Sequence, residues 1–305
     1  MFAHSRRGAM ALALLLASAA MAAAQEVTIS HVQGETTVPV DPQTVVTFDL
    51  AALDTLTAFG VAVDGVPVIG MPDYLAQYEG DAVAKVGTLF EPDYEAVNAL
   101  APDLIIVAAR SGPALPQLAA IAATIDITVD WTNYLATVMA NTETLGTIFA
   151  KEAEAEAMLG ALTERVELIQ ANAGSIGNAF VVMTSGGRVT AYGPGSRFGW
   201  VHDDLGITPA IENVEAATHG EAISFEFLLE TDPDWLIVID RDAATGEAGV
   251  AAAELLDNEL VRQTTAWQEG QVIYVDSSAW YIVNGGYTAT LNALDQLIEA
   301  FGIQR

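Results

Sequence analysis

Two hydrophobic patterns alternate along the chain and predict an α/β fold. Short, continuous runs of branched aliphatic residues predict buried parallel strands, because such strands are covered on both faces. Segments with apolar residues at three- or four-residue steps predict helices between them. The predicted strands are 45–48, 104–107, 179–183, 236–239 and 272–275, and the predicted helices are 49–59, 94–100 and 288–301. This alternation is typical of parallel sheets covered by helices.

A long helical segment separates two such α/β regions. Between Asn141 and Asn172 the apolar residues fall at helical steps among Ala and Glu, and no Pro interrupts them. An uninterrupted helix of this length would extend about 48 Å, enough to brace two lobes. The predicted organisation is therefore an N-terminal lobe at 25–140, a linker helix at 141–173 and a C-terminal lobe at 174–305.

An internal repeat supports the division into two lobes. The stretch from Tyr94 to Arg110 recurs 131 residues later as the stretch from Phe225 to Arg241. Each copy reads as a helix, a Pro-Asp pair and a buried strand, with an arginine beyond the strand. Ligands of open α/β sheets bind at the carboxyl ends of the strands. The repeat therefore predicts that the two arginines approach one cleft from opposite lobes.

The segment 1–24 has the layout of a secretory signal. Basic residues precede an apolar stretch from Met10 to Met21, and three alanines follow. The stretch is too short for an ordinary membrane span. We expect cleavage after Ala24 and a periplasmic protein, with the pair Arg6-Arg7 leaving general and twin-arginine export both open.

Composition excludes several classes of function. The chain has no cysteine, which excludes disulfide frameworks, thiol nucleophiles and cysteine-ligated zinc or Fe–S centres. Its 40 acidic and 11 basic residues give a formal net charge of −29, whereas nucleic-acid binding needs a concentrated basic face. The sequence has neither the G-x-S-x-G motif of α/β hydrolases nor a P-loop lysine. No catalytic motif therefore indicates an enzyme.

Arginine is scarce enough that each copy needs an explanation. Arg110 and Arg241 follow predicted strands, and Arg197 lies in the glycine-punctuated turn 192–199. The planar guanidinium group makes charge-assisted hydrogen bonds to anionic oxygens. Three such groups could hold a trianionic ligand. The alternative for each arginine is an ion pair with one of the 40 carboxylates.

His219 and Tyr281 are candidate ligands of a hard cation. His219 lies in a predicted loop just before the helix of the second repeat copy, and Tyr281 follows the strand at 272–275. An imidazole nitrogen and a phenolate oxygen could complete the coordination of a cation that a chelator already holds. The alternative is a surface histidine and a half-buried packing tyrosine.

The sequence resembles the periplasmic binding proteins of ABC importers that capture ferric siderophores, particularly those of the catecholate type. The similarity is densest at 218–229, 232–235 and 240–241, continues through 255–258 and 279–281, and is less dense over 192–206. The resemblance implies two Rossmann-like lobes joined by a single long backbone helix, with the ligand cleft between the lobes.

The resemblance also implies roles for residues of the cleft. Arg110, Arg197 and Arg241 fall where such proteins hold anionic catecholate oxygens. His219 and Tyr281 fall where such proteins ligate Fe(III) directly when a tetradentate siderophore leaves two coordination positions open.

Two acidic residues are implied to contact the membrane permease. Glu95 and Glu226, one per lobe, fall at positions that dock onto arginines of the permease in such proteins. Their equivalent places in the repeat fit that role, although each also fits a solvated helix glutamate.

The predicted function is that of a non-enzymatic, monomeric receptor without an intrinsic cofactor. It would capture an Fe(III)-siderophore complex and deliver it to an ABC permease in the inner membrane, without binding nucleic acid. The alternatives are haem, a hydroxamate siderophore or a corrinoid as cargo, a periplasmic hydrolase, and an adhesion or scaffold module.

Overall fold

The computed structural model describes residues 25–212, 214 and 220–305. The predicted signal segment 1–24 and the candidate iron ligand His219 lie outside these residues. Within the described ranges the chain has two separate sheets, one on each side of a long helix. The predicted α/β fold of two lobes is confirmed.

The N-terminal lobe is built on a five-stranded parallel sheet that follows an antiparallel hairpin. The strands, in chain order, are β1 (Glu26–His31), β2 (Gly34–Pro39), β3 (Val45–Thr47), β4 (Gly65–Val66), β5 (Ala84–Lys85), β6 (Leu104–Val107) and β7 (Thr124–Asp126). β1 and β2 form the hairpin, and the parallel sheet has the order β5-β4-β3-β6-β7. The carboxyl ends of its strands therefore lie at one edge.

The C-terminal lobe contains a second sheet, which is mixed. Its strands are β8 (Asn178–Ser185), β9 (Arg188–Tyr192), β10 (Thr208–Pro209), β11 (Glu221–Ile223), β12 (Trp235–Asp240) and β13 (Val272–Tyr274). The order is β11-β9-β8-β12-β13, with β10 beside the start of β8. β8, β12 and β13 are parallel, whereas β9 is antiparallel to both of its neighbours.

Helices cover both sheets and connect the lobes. They are α1 (Leu50–Ala58), α2 (Tyr94–Leu100), α3 (Leu115–Leu118), α4 (Tyr134–Ile148), α5 (Glu152–Ile176), α6 (Trp200–Asp203), α7 (Phe225–Thr231), α8 (Arg241–Thr245), α9 (Ala252–Leu256), α10 (Thr265–Gln268) and α11 (Tyr287–Ala300). In the described part of the chain, none of them has both the length and the apolarity of a membrane span. Apart from the linker, the predicted strands and helices lie within two residues of the observed ones.

The linker is not the continuous helix that was predicted from 141 to 172. α4 ends at Ile148, Ala150 has a φ of 51°, and α5 begins at Glu152. The reason is tertiary: α5 packs back against α4, with Gly146 next to Ala155, and Ala155 of α5 lies in the same core as Ile148 of α4. α5 has 25 residues and spans about 38 Å at 1.5 Å per residue. It is the long helix that joins the lobes.

The internal repeat corresponds to an equivalent unit in each lobe. α2 and α7 each have seven residues, with their N-termini capped by the side chains of Asp93 and Ser224. Both end at a residue in the left-handed region, Ala101 with φ 49° and Asp232 with φ 44°. The following strands, β6 and β12, each pair in parallel with a neighbouring strand of their own sheet.

In each copy of the repeat, the aspartate of the Pro-Asp pair holds the start of the strand beside β6 or β12. Asp103 Oδ2 accepts a hydrogen bond from the N–H of Thr44, just before β3, at 2.9 Å. Asp234 Oδ2 accepts from the N–H of Asn178, the first residue of β8, also at 2.9 Å. The repeat thus places two arginines beyond equivalent strands of the two sheets.

A buried carboxylate links the lobes. Asp54 Oδ2, on α1, accepts hydrogen bonds from the N–H groups of Thr288 at 2.7 Å and Ala289 at 3.4 Å, in the first turn of α11. A Cβ atom on Gly286 would lie 2.4 Å from Asp54 Oδ2, so this close approach requires glycine. Asp54 therefore caps a helix of the other lobe, where the helix dipole favours negative charge.

Replacing Asp54 should change how stability depends on pH. Burial raises the pKa of Asp54 from 3.8 to about 6, although hydrogen bonds from Ala289 and Thr288 oppose the shift. An acid with a raised pKa stabilises the fold when protonated. This contribution is complete below about pH 4 and is lost as the pH rises through about 6, amounting to about 3 kcal/mol. The Asp54→Asn variant should therefore lose less stability than the wild type between pH 4 and pH 7.

Chemical denaturation at a series of pH values measures this difference. The exposed Asp81 provides the control, and Asp81→Asn should follow the wild-type curve. Parallel curves for wild type and Asp54→Asn would contradict the assignment.

Candidate ligand-binding site

The two lobes enclose a cleft with a volume of about 310 Å³. Residues after β3, β6 and β7 line one side, and residues of the C-terminal lobe line the other. Most of the lining is apolar, and its charged side chains are Asp49, Arg110 and Arg197. Its aromatic side chains are Phe90, Trp131 and Tyr281. The cleft thus combines apolar walls with cationic groups, as ligand sites commonly do.

Three arginines converge on Tyr281, and two of them, Arg110 and Arg197, line the cleft. Arg197 Nη2 donates a hydrogen bond to the Tyr281 carbonyl oxygen at 2.6 Å, and Arg110 Nη2 donates to the same oxygen at 3.4 Å. Arg241 Nε donates to the Tyr281 hydroxyl at 3.1 Å. The three guanidinium carbons lie 4.4 Å (Arg197), 5.7 Å (Arg110) and 5.8 Å (Arg241) from the centre of the Tyr281 ring. The structure therefore brings these four predicted site residues together; their role in binding remains a prediction.

Local backbone structure presents Tyr281 and Arg197 to the cleft. Tyr281 lies in a single π-helical turn, Ser278–Ile282, shortly after β13; such turns are frequent at functional sites. Arg197 lies in the glycine turn after β9, where the Ser196 hydroxyl donates to the Gly193 carbonyl at 2.6 Å. A Cβ atom on Gly199 would lie 2.6 Å from that carbonyl oxygen, so the tight turn requires glycine there.

Arg197 is a largely desolvated cation enclosed by aromatic rings. Its guanidinium carbon lies 5.3 Å from the ring centre of Trp131 and 5.2 Å from that of Phe198, in addition to Tyr281. Cation–π attraction replaces part of the lost hydration. Burial, and then the charge of Arg110, lowers the pKa of Arg197. Among the described residues, Arg197 Nε has no hydrogen-bond partner.

The three arginines differ in their acidic neighbours. Arg241 pairs with Glu247 at 3.2 Å and lies 3.7 Å from Asp242. In the part of the chain that the structure describes, no carboxylate lies within 4.0 Å of the Arg110 or Arg197 guanidinium. In a chain of net charge −29 two such cations are unusual. The ion-pair alternative therefore describes Arg241 and not the other two.

Asp49 is the acidic side chain that lines the cleft, and its carboxylate caps the N-terminus of α1. Its Oδ1 accepts a hydrogen bond from the N–H of Ala52 at 2.8 Å, in the first turn of α1. Burial raises the pKa of Asp49, and the cap hydrogen bonds and the charge of Arg110 act in the opposite direction. Asp49 thus reduces the positive potential near Arg110 without pairing with it.

A series of packed aromatic rings extends from one side of the site to the other. Trp131 stacks on Tyr134 at 6.4 Å between ring centres, and Tyr134 stacks on Trp200 at 5.1 Å. Trp200 lies 5.0 Å from Trp280, the residue before Tyr281. These contacts connect the N-terminal side of the cleft to its C-terminal side, and they position Trp131, one of the rings around Arg197.

Sequence reasoning missed Phe90, Trp131 and Glu247. Phe90 is 67% exposed beside the cleft, which is unusual for so large an apolar side chain. Trp131 follows β7, so the rule that ligands bind at strand ends could have found it. Glu247 carries no local signal, because its significance depends on a contact with Arg241 in the folded chain.

Glu95 and Glu226 lie at equivalent places on the two lobes. Both are exposed and lie in the first turn of their helices, α2 and α7. A hydrogen bond from its own backbone N–H, and then one from the Ser224 hydroxyl, lowers the pKa of Glu226. The two carboxylates are accessible to a partner, and the docking role remains a prediction.

The chain belongs to the periplasmic binding protein family, whose sequence profile matches residues 45–279. It is 37% identical over 280 residues to the petrobactin-binding protein YclQ of Bacillus subtilis, covering 90% of this chain and 87% of that protein. The crystal structure of YclQ matches with a TM-score of 0.88 at 35% identity, covering 92% of this chain and 100% of that one. The family resemblance inferred from the sequence is confirmed.

Two other solved structures support the same assignment. A TroA-like periplasmic binding protein of Xylanimonas cellulosilytica is 44% identical with a TM-score of 0.82, covering 88% of this chain and 92% of that one. The periplasmic catecholate-siderophore binding protein VctP of Vibrio cholerae is 34% identical with a TM-score of 0.85, covering 92% of this chain and 100% of that one. The family and these relatives are therefore binding proteins.

Replacing Arg241 should raise the pKa of Tyr281. Although burial acts to raise that pKa, the hydrogen bond from Arg241 and the charges of Arg197, Arg241 and Arg110 lower it below the ordinary value. Arg241→Gln removes the charge, so the phenol should ionise at higher pH than in the wild type. The ultraviolet absorbance of tyrosinate, taken as the difference from Tyr281→Phe, measures this titration.

Arg262→Gln is the matched control, since Arg262 pairs with Asp257. It removes the same charge and should leave the Tyr281 titration unchanged. Equal titration curves in wild type and Arg241→Gln would contradict the described geometry.

Proposed function

We propose that this protein is a periplasmic receptor for an Fe(III)-siderophore complex, and that its charge and aromatic side chains fit it best to catecholates. It acts as a non-enzymatic monomer, after removal of the segment that ends at Ala24, and delivers its cargo to an ABC permease in the inner membrane. The observation that carries the proposal is the pair of half-buried guanidinium groups, Arg110 and Arg197, that have no carboxylate within 4.0 Å among the described residues.

A ferric catecholate has anionic oxygens and aromatic rings that match the groups of this cleft. Its phenolate oxygens are anionic acceptors for guanidinium donors, and a tris-catecholate complex of Fe(III) is trianionic. Its planar rings match an apolar cleft bordered by the aromatic side chains of Phe90 and Trp131. Arg197 Nε, which has no hydrogen-bond partner among the described residues, offers one further donor. The names of YclQ and VctP as petrobactin- and catecholate-siderophore-binding proteins support the same cargo class.

The overall negative charge does not prevent binding of an anion. At physiological salt the Debye length is about 8 Å, so carboxylates beyond that distance act weakly on the cleft. The local potential is set instead by the arginines around Tyr281, one of which is paired with Glu247. Capture is therefore governed by the cleft rather than by the net charge.

Tyr281 and His219 are proposed to bind the iron when the siderophore leaves two positions open. The arginines lower the pKa of Tyr281 against the effect of burial, which favours the phenolate, a hard oxygen ligand suited to Fe(III). His219 is proposed as the second ligand from its sequence position alone.

Comparing a tetradentate with a hexadentate ferric catecholate should show whether Tyr281 and His219 ligate the iron. A tetradentate ferric catecholate should quench tryptophan fluorescence, because Trp131 lines the cleft. Tyr281→Phe and His219→Ala should each weaken that complex, whereas a hexadentate complex, with no open iron position, should be less sensitive. Equal effects on both complexes would remove direct iron ligation from the proposal.

Arg197→Gln should weaken binding of either ferric catecholate by about tenfold to a hundredfold, since hydrogen bonds to charged groups contribute about 1.5–3 kcal/mol. Titration calorimetry measures the loss. Arg262→Gln, which removes a charge outside the cleft, should bind like the wild type. If the wild type binds no ferric catecholate, the proposed function is wrong.

Glu95 and Glu226 are proposed to dock onto basic residues of the permease. Glu95→Lys and Glu226→Lys should abolish uptake of the ferric complex in cells that lack their own copy of the gene, while leaving the affinity of the purified protein unchanged. Glu164→Lys on α5 is the matched control, since Glu164 is also an exposed helix residue. Normal uptake by both docking variants would contradict the assignment.

A further inference from the structure

We propose that Glu247 competes with the cargo for Arg241 and thereby makes the site selective for highly charged anions. The Glu247 carboxylate pairs with the Arg241 guanidinium in this structure, and a cargo oxygen takes its place on binding. This inference rests on the proposed function, since it concerns the charge of the cargo that the same cleft accepts.

The contact between Glu247 and Arg241 has the paired geometry that an anionic ligand would use. Arg241 Nη1 donates to Glu247 Oε2 at 3.2 Å, and Arg241 Nη2 donates to Glu247 Oε1 at 3.3 Å. Two parallel hydrogen bonds of this kind match a guanidinium to a carboxylate. Glu247 therefore presents to Arg241 the same type of oxygen pair that a catecholate would present.

Breaking the ion pair between Glu247 and Arg241 costs little free energy. Its side chain is 55% exposed, and exposed ion pairs contribute little to stability. The Glu247 N–H donates to the Asp242 carbonyl oxygen at 2.9 Å, which fixes the backbone at this residue. Release therefore needs only a rotation of the side chain into water.

Asp242, the other acidic neighbour of Arg241, is held in place. Its side chain is 8% exposed and lies 3.7 Å from Arg241 Nη1. Asp242 Oδ2 accepts from the N–H of Gly186 at 2.8 Å, and Oδ1 accepts from the Ser185 hydroxyl at 3.2 Å. Displacing Asp242 would break both hydrogen bonds of a buried carboxylate, so Glu247 is the replaceable acid.

The three arginines differ in whether a cargo must compete with a carboxylate to reach them. Arg110 and Arg197 have no competing carboxylate within 4.0 Å in the described ranges, so the first negative charges of a cargo meet no competitor. Charge that reaches Arg241 must displace Glu247. A trianionic complex should engage all three arginines, whereas a monoanionic complex should gain little from the third.

The experiment compares the affinities of wild type, Glu247→Gln and Glu254→Gln for two probes. The probes are a trianionic ferric tris-catecholate and a monoanionic ferric bis-catecholate, measured by titration calorimetry. Glu254 is an exposed glutamate at the start of α9, and its replacement removes the same charge. Glu247→Gln should bind the trianionic probe about two- to fivefold more tightly than the other two proteins, the range expected for loss of an exposed ion pair. It should bind the monoanionic probe with less than half that gain.

Unchanged or weaker binding of the trianionic probe by Glu247→Gln would overturn the inference, as would equal gains for both probes or the same gain in Glu254→Gln. Failure of the wild type to bind either probe would instead contradict the proposed function.

Discussion

The structure depends on holding three like charges around one tyrosine. Guanidinium groups that share a partly buried cleft repel one another, and burial adds a desolvation cost. The Tyr281 carbonyl oxygen and ring offset part of this cost, and Glu247 neutralises one of the three cations. Arg110 and Arg197 keep their charge without an acid within 4.0 Å in the described chain. A site built in this way is stabilised most by an anion.

The remaining architecture keeps these charges in place. The repeat puts Arg110 and Arg241 beyond equivalent strands of two lobes. A glycine turn and a π-helical turn supply Arg197 and Tyr281. The lobes are connected by α5 and by the buried cap that Asp54 provides to α11. Because Arg110 lies in one lobe and Arg197 and Arg241 lie in the other, the distances among the arginines depend on these connections.

The sequence was most informative where the signal is local. Continuous apolar runs located the strands, and the repeat paired Arg110 with Arg241 because its units are equivalent in structure. The scarcity of arginine pointed to Arg197, which the fold brings to the same tyrosine. The break at Ala150 could not be predicted, since neither glycine nor proline stands at it and it depends on the packing of α5 against α4 in the folded chain. Glu247 was missed for the same reason: its partner is set by the fold.

A crystal structure of the protein with a ferric tris-catecholate would test the central claim most directly. The account predicts that catecholate oxygens lie within hydrogen-bonding distance of the guanidinium groups of Arg110 and Arg197, in the cleft beside Trp131. A complex bound elsewhere, or in the cleft with both of these guanidinium groups directed away from its oxygens, would contradict it.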